Sequence, residues 1–204
     1  MKFISFEGCD YSGKSTQIKL LARYLINIGK EVYLTREPGG SKFAEGIRSF
    51  LLNKEITDPL IEYLLLAAAR KDHVDKVIQP YLKKSCFVLS DRFTDSSLCY
   101  QGYNKGLSIK TINFIKKLTI ASFQPDVTIL LTVSKNTLIN RMNQIRCNHN
   151  IYDQKDCKFY LSIQKIFIKI ASQYTKRFVT IANNDNKYLV HNVIKKILFQ
   201  RKIL

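Results

Sequence analysis

The residues best suited to hold a polyphosphate stand near the start of the chain. Gly8-Cys9-Asp10-Tyr11-Ser12-Gly13-Lys14-Ser15 has the spacing G-x-x-x-x-G-K-[ST]. Its glycines let backbone N–H groups turn inward around phosphate oxygens, and a helix opening at Lys14 adds positive potential from its N-terminus. Lys14 can reach the β- and γ-phosphates of a nucleoside triphosphate, and the Ser15 hydroxyl can ligate Mg²⁺. Gly8, Cys9, Asp10, Tyr11, Ser12, Gly13, Lys14, Ser15 and Thr16 are therefore the expected ATP cradle. A second phosphate-handling pair follows an apolar run, where Phe87-Val88-Leu89-Ser90 leads into Asp91-Arg92. At the carboxyl end of a strand beside the loop, Asp91 would hold Mg²⁺ directly or through water, and Arg92 would clamp a phosphate bidentately.

These groups need a scaffold, and the hydrophobic pattern supplies one. Short runs rich in apolar or β-branched residues cover Phe3–Phe6, Glu31–Thr35, Cys86–Ser90, Asp126–Val133 and Phe178–Ala182. Such runs suit strands covered on both faces. Helical stretches alternate with them. Lys14–Ile28 stops at Gly29. A long helix opens at Asp58-Pro59, a cap followed by proline at the first helical position, and runs to about Lys84. Ser108 is placed to cap a helix ending before Pro125, and Ser134 one running to about Arg146. Repeated β-α alternation implies an α/β fold, a five-stranded parallel sheet flanked by helices. With no repeat, low-complexity tract or interdomain linker, residues 1–204 read as one domain.

Composition narrows the class. At 46% hydrophobic and 24% charged, the chain has enough apolar residues for a core and excludes disorder and fibrous repeats. No window approaches the roughly 18 consecutive apolar residues of a membrane span. Glu7 interrupts the first residues too early for a secretory apolar region, so a cytoplasmic location is expected. The 33 basic against 16 acidic residues give a net charge of +17, but the basic residues are scattered. A solvated lysine-rich surface accounts for most of that surplus, and neither a nucleic-acid nor a membrane partner is expected from it. The five cysteines match no common metal framework, and the loose grouping of Cys147, His149 and Cys157 has the wrong spacing.

A triphosphate loop leaves the fate of the phosphoryl group open. A GTPase lacks support, because no D-x-x-G ends a suitable strand and no N-K-x-D guanine-reading element is present. A mechanical ATPase would want a second acid after Asp91, where Arg92 stands. Asp-Arg favours transfer to a small phosphorylated acceptor. A kinase for another nucleotide acceptor, a nucleic-acid-binding ATPase and a catalytically weakened nucleotide binder remain as alternatives.

Several motifs in order resemble the bacterial branch of the thymidylate kinases, P-loop enzymes of the nucleoside-monophosphate kinase family. They are Phe6-Glu7-Gly8 with Gly13-Lys14-Ser15-Thr16-Gln17, Thr35-Arg36-Glu37-Pro38-Gly39-Gly40, Leu64 to Arg70 with His73, Asp91-Arg92-Phe93 with Ser96-Ser97 and Tyr100-Gln101-Gly102, and Pro125-Asp126-Val127-Thr128. The resemblance implies transfer from ATP·Mg²⁺ to dTMP, giving dTDP, by a homodimer. It implies that Glu37 and Pro38 line the acceptor pocket, that Arg48 and Arg92 hold the acceptor phosphate, and that Arg70 meets the thymine edge with Ser97 and Gln101. Tyr100 would pack on the deoxyribose, and Asp10 would contact the sugar hydroxyl or the metal shell. Leu66 stands where the family often stacks a phenylalanine on the base. Ser15 and Asp91 would hold the metal, and Lys14, Arg92, Arg146 and Asp10 would act on the transferring group. The lid, about 147–156, lacks the family's usual arginine, so Arg146, with Arg141 second, is the expected source of transition-state charge.

Overall fold

The computed structural model describes residues 2–54, 56–145 and 155–204. The chain runs through β1 (Lys2–Glu7), α1 (Lys14–Asn27), β2 (Val32–Arg36), α2 (Lys42–Asn53) and α3 (Pro59–His73). A π-helical turn, Val74–Ile78, then joins α3 to α4 (Gln79–Lys83), which precedes β3 (Phe87–Asp91). Next, α5 (Thr94–Ser97) opens into a second π turn, Leu98–Asn104, and α6 (Ile109–Ile120) follows. After these come β4 (Val127–Thr132), α7 (Lys135–Ile145), α8 (Cys157–Gln173), β5 (Phe178–Ala182) and α9 (Lys187–Gln200).

All strand pairs are parallel, in the order β2-β3-β1-β4-β5. Central β1 pairs with β3 on one side and β4 on the other; the chain leaves β1 for β2 on the β3 side and leaves β4 for β5 on the opposite side, so the direction of connection reverses beside β1. The loop after β1 therefore lies at the crevice outside the carboxyl ends of the strands, where open α/β sheets bind ligands. On one face, Ile4 and Phe6 pack with Leu21 and Leu25 of α1 and with Ile194 and Leu198 of α9. On the other, Leu130 packs with Tyr63 of α3, Ile112 of α6 and Ile163 and Phe167 of α8. Strand alternation places Ser5 and Glu7 opposite Ile4 and Phe6. Buried Ser5, Glu7, Ser90 and Thr128 make the strands less uniformly apolar than the sequence pattern suggests.

Two expectations about the helices need correction. The helix from Asp58 does not reach Lys84 as one α-helix: its cap forms, with Asp58 Oδ1 accepting the Leu60 amide at 2.7 Å, but the π turn interrupts it ahead of Pro80. Proline has no N–H and its ring crowds the preceding turn, so a wider register accommodates it. Ser108 sits at the start of α6 but makes no side-chain capping bond, whereas Ser134 does cap α7 through the Thr137 amide at 3.2 Å. The pattern reading also passed over α8 and α9, whose buried stripes (Tyr160, Ile163, Phe167, Ile170; Val190, Ile194, Leu198) have helical spacing.

Candidate active site

The phosphate loop forms because β1 ends in a glycine-rich turn and α1 begins at its far side. Gly13 precedes the helix with φ of +87°. A Cβ there would overlap the Asn183 amide, which itself donates to the Ser12 carbonyl at 2.7 Å. Arg141 of α7 donates to the Tyr11 carbonyl at 3.0 Å and the Asn183 carbonyl at 2.8 Å. Asn183, just past β5, and Arg141 thus brace the loop from outside. The position of Asn183 at the carboxyl end of a strand was its only sequence signal. Arg141 is committed to this brace, while Arg146 lies outside the described residues, as does the expected lid except for Lys155 and Asp156.

Inside the loop, Lys14 Nζ donates to the carbonyls of Gly8 at 3.1 Å and Cys9 at 2.9 Å. Burial and the nearby Arg92 charge lower its pKa, a penalty that phosphate charge would relieve. The Ser12 hydroxyl is buried and has no hydrogen-bond partner among the described residues. Ser15 Oγ donates to Asp91 Oδ2 at 2.8 Å, so the two oxygen groups expected to hold a metal are adjacent. Hard oxygen donors of this kind suit Mg²⁺. Burial lifts the Cys9 thiol to about 11, which keeps it protonated and unreactive near neutral pH.

Beside the loop opens a cavity of about 380 Å³. Every residue expected around the acceptor lines it: Glu37, Pro38, Arg48, Leu66, Arg70, Arg92, Ser97, Tyr100 and Gln101. Asp10 lines it too. Residues not singled out from the sequence complete the wall, among them Glu62, Lys105 and Phe159. Lys105 donates to Glu62 at 2.8 Å, a pairing across 43 residues that no local pattern marks.

The charges of Arg92, Lys14 and Arg48 converge on Asp10. Arg92 donates to Asp10 Oδ1 at 2.5 Å, to Ser96 Oγ at 3.2 Å and to the Gly8 carbonyl at 3.3 Å. It therefore touches the phosphate loop and the cavity at once. Although burial opposes it, the charges of Arg92 and Lys14 hold the Asp10 carboxyl below its ordinary range. Arg48, half-buried on α2, donates to the Pro38 carbonyl at 2.9 Å. Burial and neighbouring Arg36 lower its pKa, so it too would welcome an anion.

A buried polar cluster also borders the cavity through Glu37, Arg70 and Ser97. Arg70 Nε donates to Glu37 Oε2 at 2.7 Å, and another of its nitrogens donates to Ser97 Oγ at 3.0 Å. Glu37 Oε1 lies 3.2 Å from His73 Nδ1, and His73 Nε2 lies 2.6 Å from Thr35 Oγ1. Arg70 and His73 are buried rather than on a solvated face. Gly40, at φ +89°, presses against the His73 ring where a Cβ would overlap it. The Thr35–Gly40 segment is thus fastened to α3. Burial raises the pKa of Tyr100 well above its ordinary value, its hydroxyl has no hydrogen-bond partner among the described residues, and Arg92 lies 5.3 Å above its ring.

This arrangement supports transfer of a phosphoryl group from a loop-held triphosphate to an anionic acceptor in the adjoining cavity. The family model described as thymidylate kinase matches residues 6–194. A thymidylate kinase of Thermoanaerobacter sp. (strain X514) is 36% identical over 202 residues, covering 97% of this chain and 98% of its own. That of Wolbachia pipientis wMel is 41% identical, covering 96% and 99%. The crystal structure of thymidylate kinase from Ehrlichia chaffeensis superposes with a TM-score of 0.79 at 33% identity, covering 97% and 98%.

Proposed function

From the premise that the chain belongs to the thymidylate kinase family and is an enzyme phosphorylating dTMP to dTDP, we propose that ATP is the donor, Mg²⁺ the metal, and that the two sites above are its donor and acceptor sites. The observation that carries the assignment is Arg92, whose guanidinium joins Asp10 of the phosphate loop to the cavity wall. A group in that position meets both the transferring phosphoryl and the acceptor phosphate.

In this reading the loop N–H groups and Lys14 hold the triphosphate, and Ser15 and Asp91 hold the metal. Bound Mg²⁺ neutralises phosphate charge. Arg92 and Arg48 fix the acceptor phosphate, Arg70 and Gln101 meet the base edge, and Leu66 covers its face. Lys14 and Arg92 offset charge as it redistributes over the transferring oxygens. The acceptor oxygen is already anionic, so no strong general base is required; Asp10, paired with Arg92, acts by orienting it. Arg146 is proposed to add transition-state charge to that of Lys14 and Arg92, and the 147–156 lid to close over the donor and exclude water.

We read residues 1–204 as one catalytic domain working in the cytoplasm as a homodimer. Among the described residues no helix is long and apolar enough to cross a membrane. Exposed Ile61 and Leu64 on α3, with Phe114 and Leu118 on neighbouring α6, supply the apolar surface for pairing. ADP release should require dTMP among the nucleoside monophosphates, and Arg92→Ala should lower kcat/KM for dTMP by at least a hundredfold. Turnover within a few-fold of wild type would remove Arg92 from the acceptor clamp.

A further inference from the structure

Arg92 is held in a conformation that arginine does not adopt unaided. Its φ is +73°, a left-handed backbone region that disfavours a residue with a Cβ. The peptide entering the turn is fixed where the Arg92 amide donates to the Phe6 carbonyl at 2.9 Å. The peptide leaving it is fixed by a side chain: Glu7 Oε1 accepts the Phe93 amide at 2.7 Å. The other oxygen, Glu7 Oε2, accepts the Ser96 hydroxyl at 2.7 Å, and Ser96 Oγ in turn accepts from the Arg92 guanidinium at 3.2 Å. Glu7 is fully buried and too far back to line the cavity.

We propose that Glu7 is the positioning residue of the acceptor clamp, its two oxygens holding the Arg92 backbone through Phe93 and the Arg92 guanidinium through Ser96. The inference rests on Arg92 gripping the acceptor phosphate. With the carboxyl ionised, each Glu7 oxygen accepts one bond, and the Ser96 proton is directed at Glu7, which leaves a Ser96 lone pair facing Arg92. Protonation turns one oxygen into a donor and disorganises that chain. The charged and titratable groups around Glu7 are Asp95 and Arg92 on the segment after β3, Cys99 in the following turn, Arg70 on α3 and Arg177 before β5. Burial, with Asp95 adding to it, raises the Glu7 carboxyl to about 7. The clamp is therefore organised within the pH range where the enzyme would work.

The test compares wild type with Glu7→Gln between pH 6 and 8, reading kcat/KM for dTMP at saturating ATP and KM for ATP at saturating dTMP. Taking the ratio of the two proteins cancels the titration of dTMP itself. That ratio should lie near one at pH 6 and reach about tenfold in favour of wild type at pH 8, with KM for ATP within twofold. A ratio that does not change with pH, or an equal rise in KM for ATP, overturns the proposal. Ser96→Ala provides the second arm, should Glu7→Gln fail to fold: it should raise KM for dTMP several-fold and leave KM for ATP unchanged, and no change in either would also overturn the role. A wild-type protein inert toward dTMP would instead overturn the acceptor reading beneath it.

Discussion

Glu37→Ala tests the reading of the cavity most severely through stability. Glu37 and Arg70 are both buried, and Arg70 Nε lies 2.7 Å from Glu37 Oε2. Burial disfavours the charged guanidinium, and Glu37 more than compensates, so the Arg70 pKa is raised. Removing the carboxylate leaves Arg70 the Ser97 hydroxyl as a side-chain hydrogen-bond partner and takes away the acceptor facing His73. Breaking a buried pair from one side costs about 3–5 kcal/mol. At about 2–4 °C per kcal/mol for a chain of this size, thermal unfolding should move down by about 6–20 °C. Scanning calorimetry would measure the shift, and Arg70→Met with the double variant would complete a cycle. The double variant should be much less damaged than the sum of the two singles, because neither charge is then stranded. A loss below about 1 kcal/mol, or simple additivity to within about 0.5 kcal/mol, would refute the buried-pair argument.

Three further outcomes follow from other parts of the molecule. Gly13→Ala should raise KM for ATP by tenfold or more while sparing KM for dTMP, because the added Cβ overlaps the Asn183 brace at a left-handed backbone position; kinetics with each substrate varied in turn would decide. Glu7 should make stability fall as pH rises: its carboxyl binds a proton more tightly when folded, at about 7 against 4.5, so the contribution is full below 4.5 and gone above 7. It amounts to at most about 3 kcal/mol, and melting curves of Glu7→Gln should lack that component. Leu64→Glu together with Leu118→Glu should convert a sedimenting dimer to monomer, and an unchanged sedimentation coefficient would place the interface elsewhere.

What the sequence revealed depended on how local the causes were. The phosphate loop was legible because two glycines, a lysine and a serine at fixed spacing determine a single turn between a strand and a helix. Asp91-Arg92 was legible for the same reason, as a polar pair ending an apolar run. The buried cluster was only half legible: Glu37, Arg70 and His73 stood out, but their mutual contacts span 33 and 36 residues. Glu7 resembled part of a motif and showed no role, because the amide and hydroxyl it accepts lie 86 and 89 residues away. Asn183 was hidden likewise, bound to Ser12 across 171 residues. The π turn before Pro80 went unread because a helical hydrophobic pattern continues through it. Arg146 and residues 147–154 fall outside the described residues, so the lid remains a proposal.

The central claim is that phosphoryl passes from the loop to a thymidine nucleotide in the neighbouring cavity and not to water. A single-turnover reaction with ATP labelled at the γ-phosphate and excess dTMP, quenched and resolved by chromatography, measures this directly. The label should appear in the β-phosphate of dTDP, with little free phosphate and no comparable product from other monophosphates. Label released as inorganic phosphate at a rate indifferent to dTMP would contradict it.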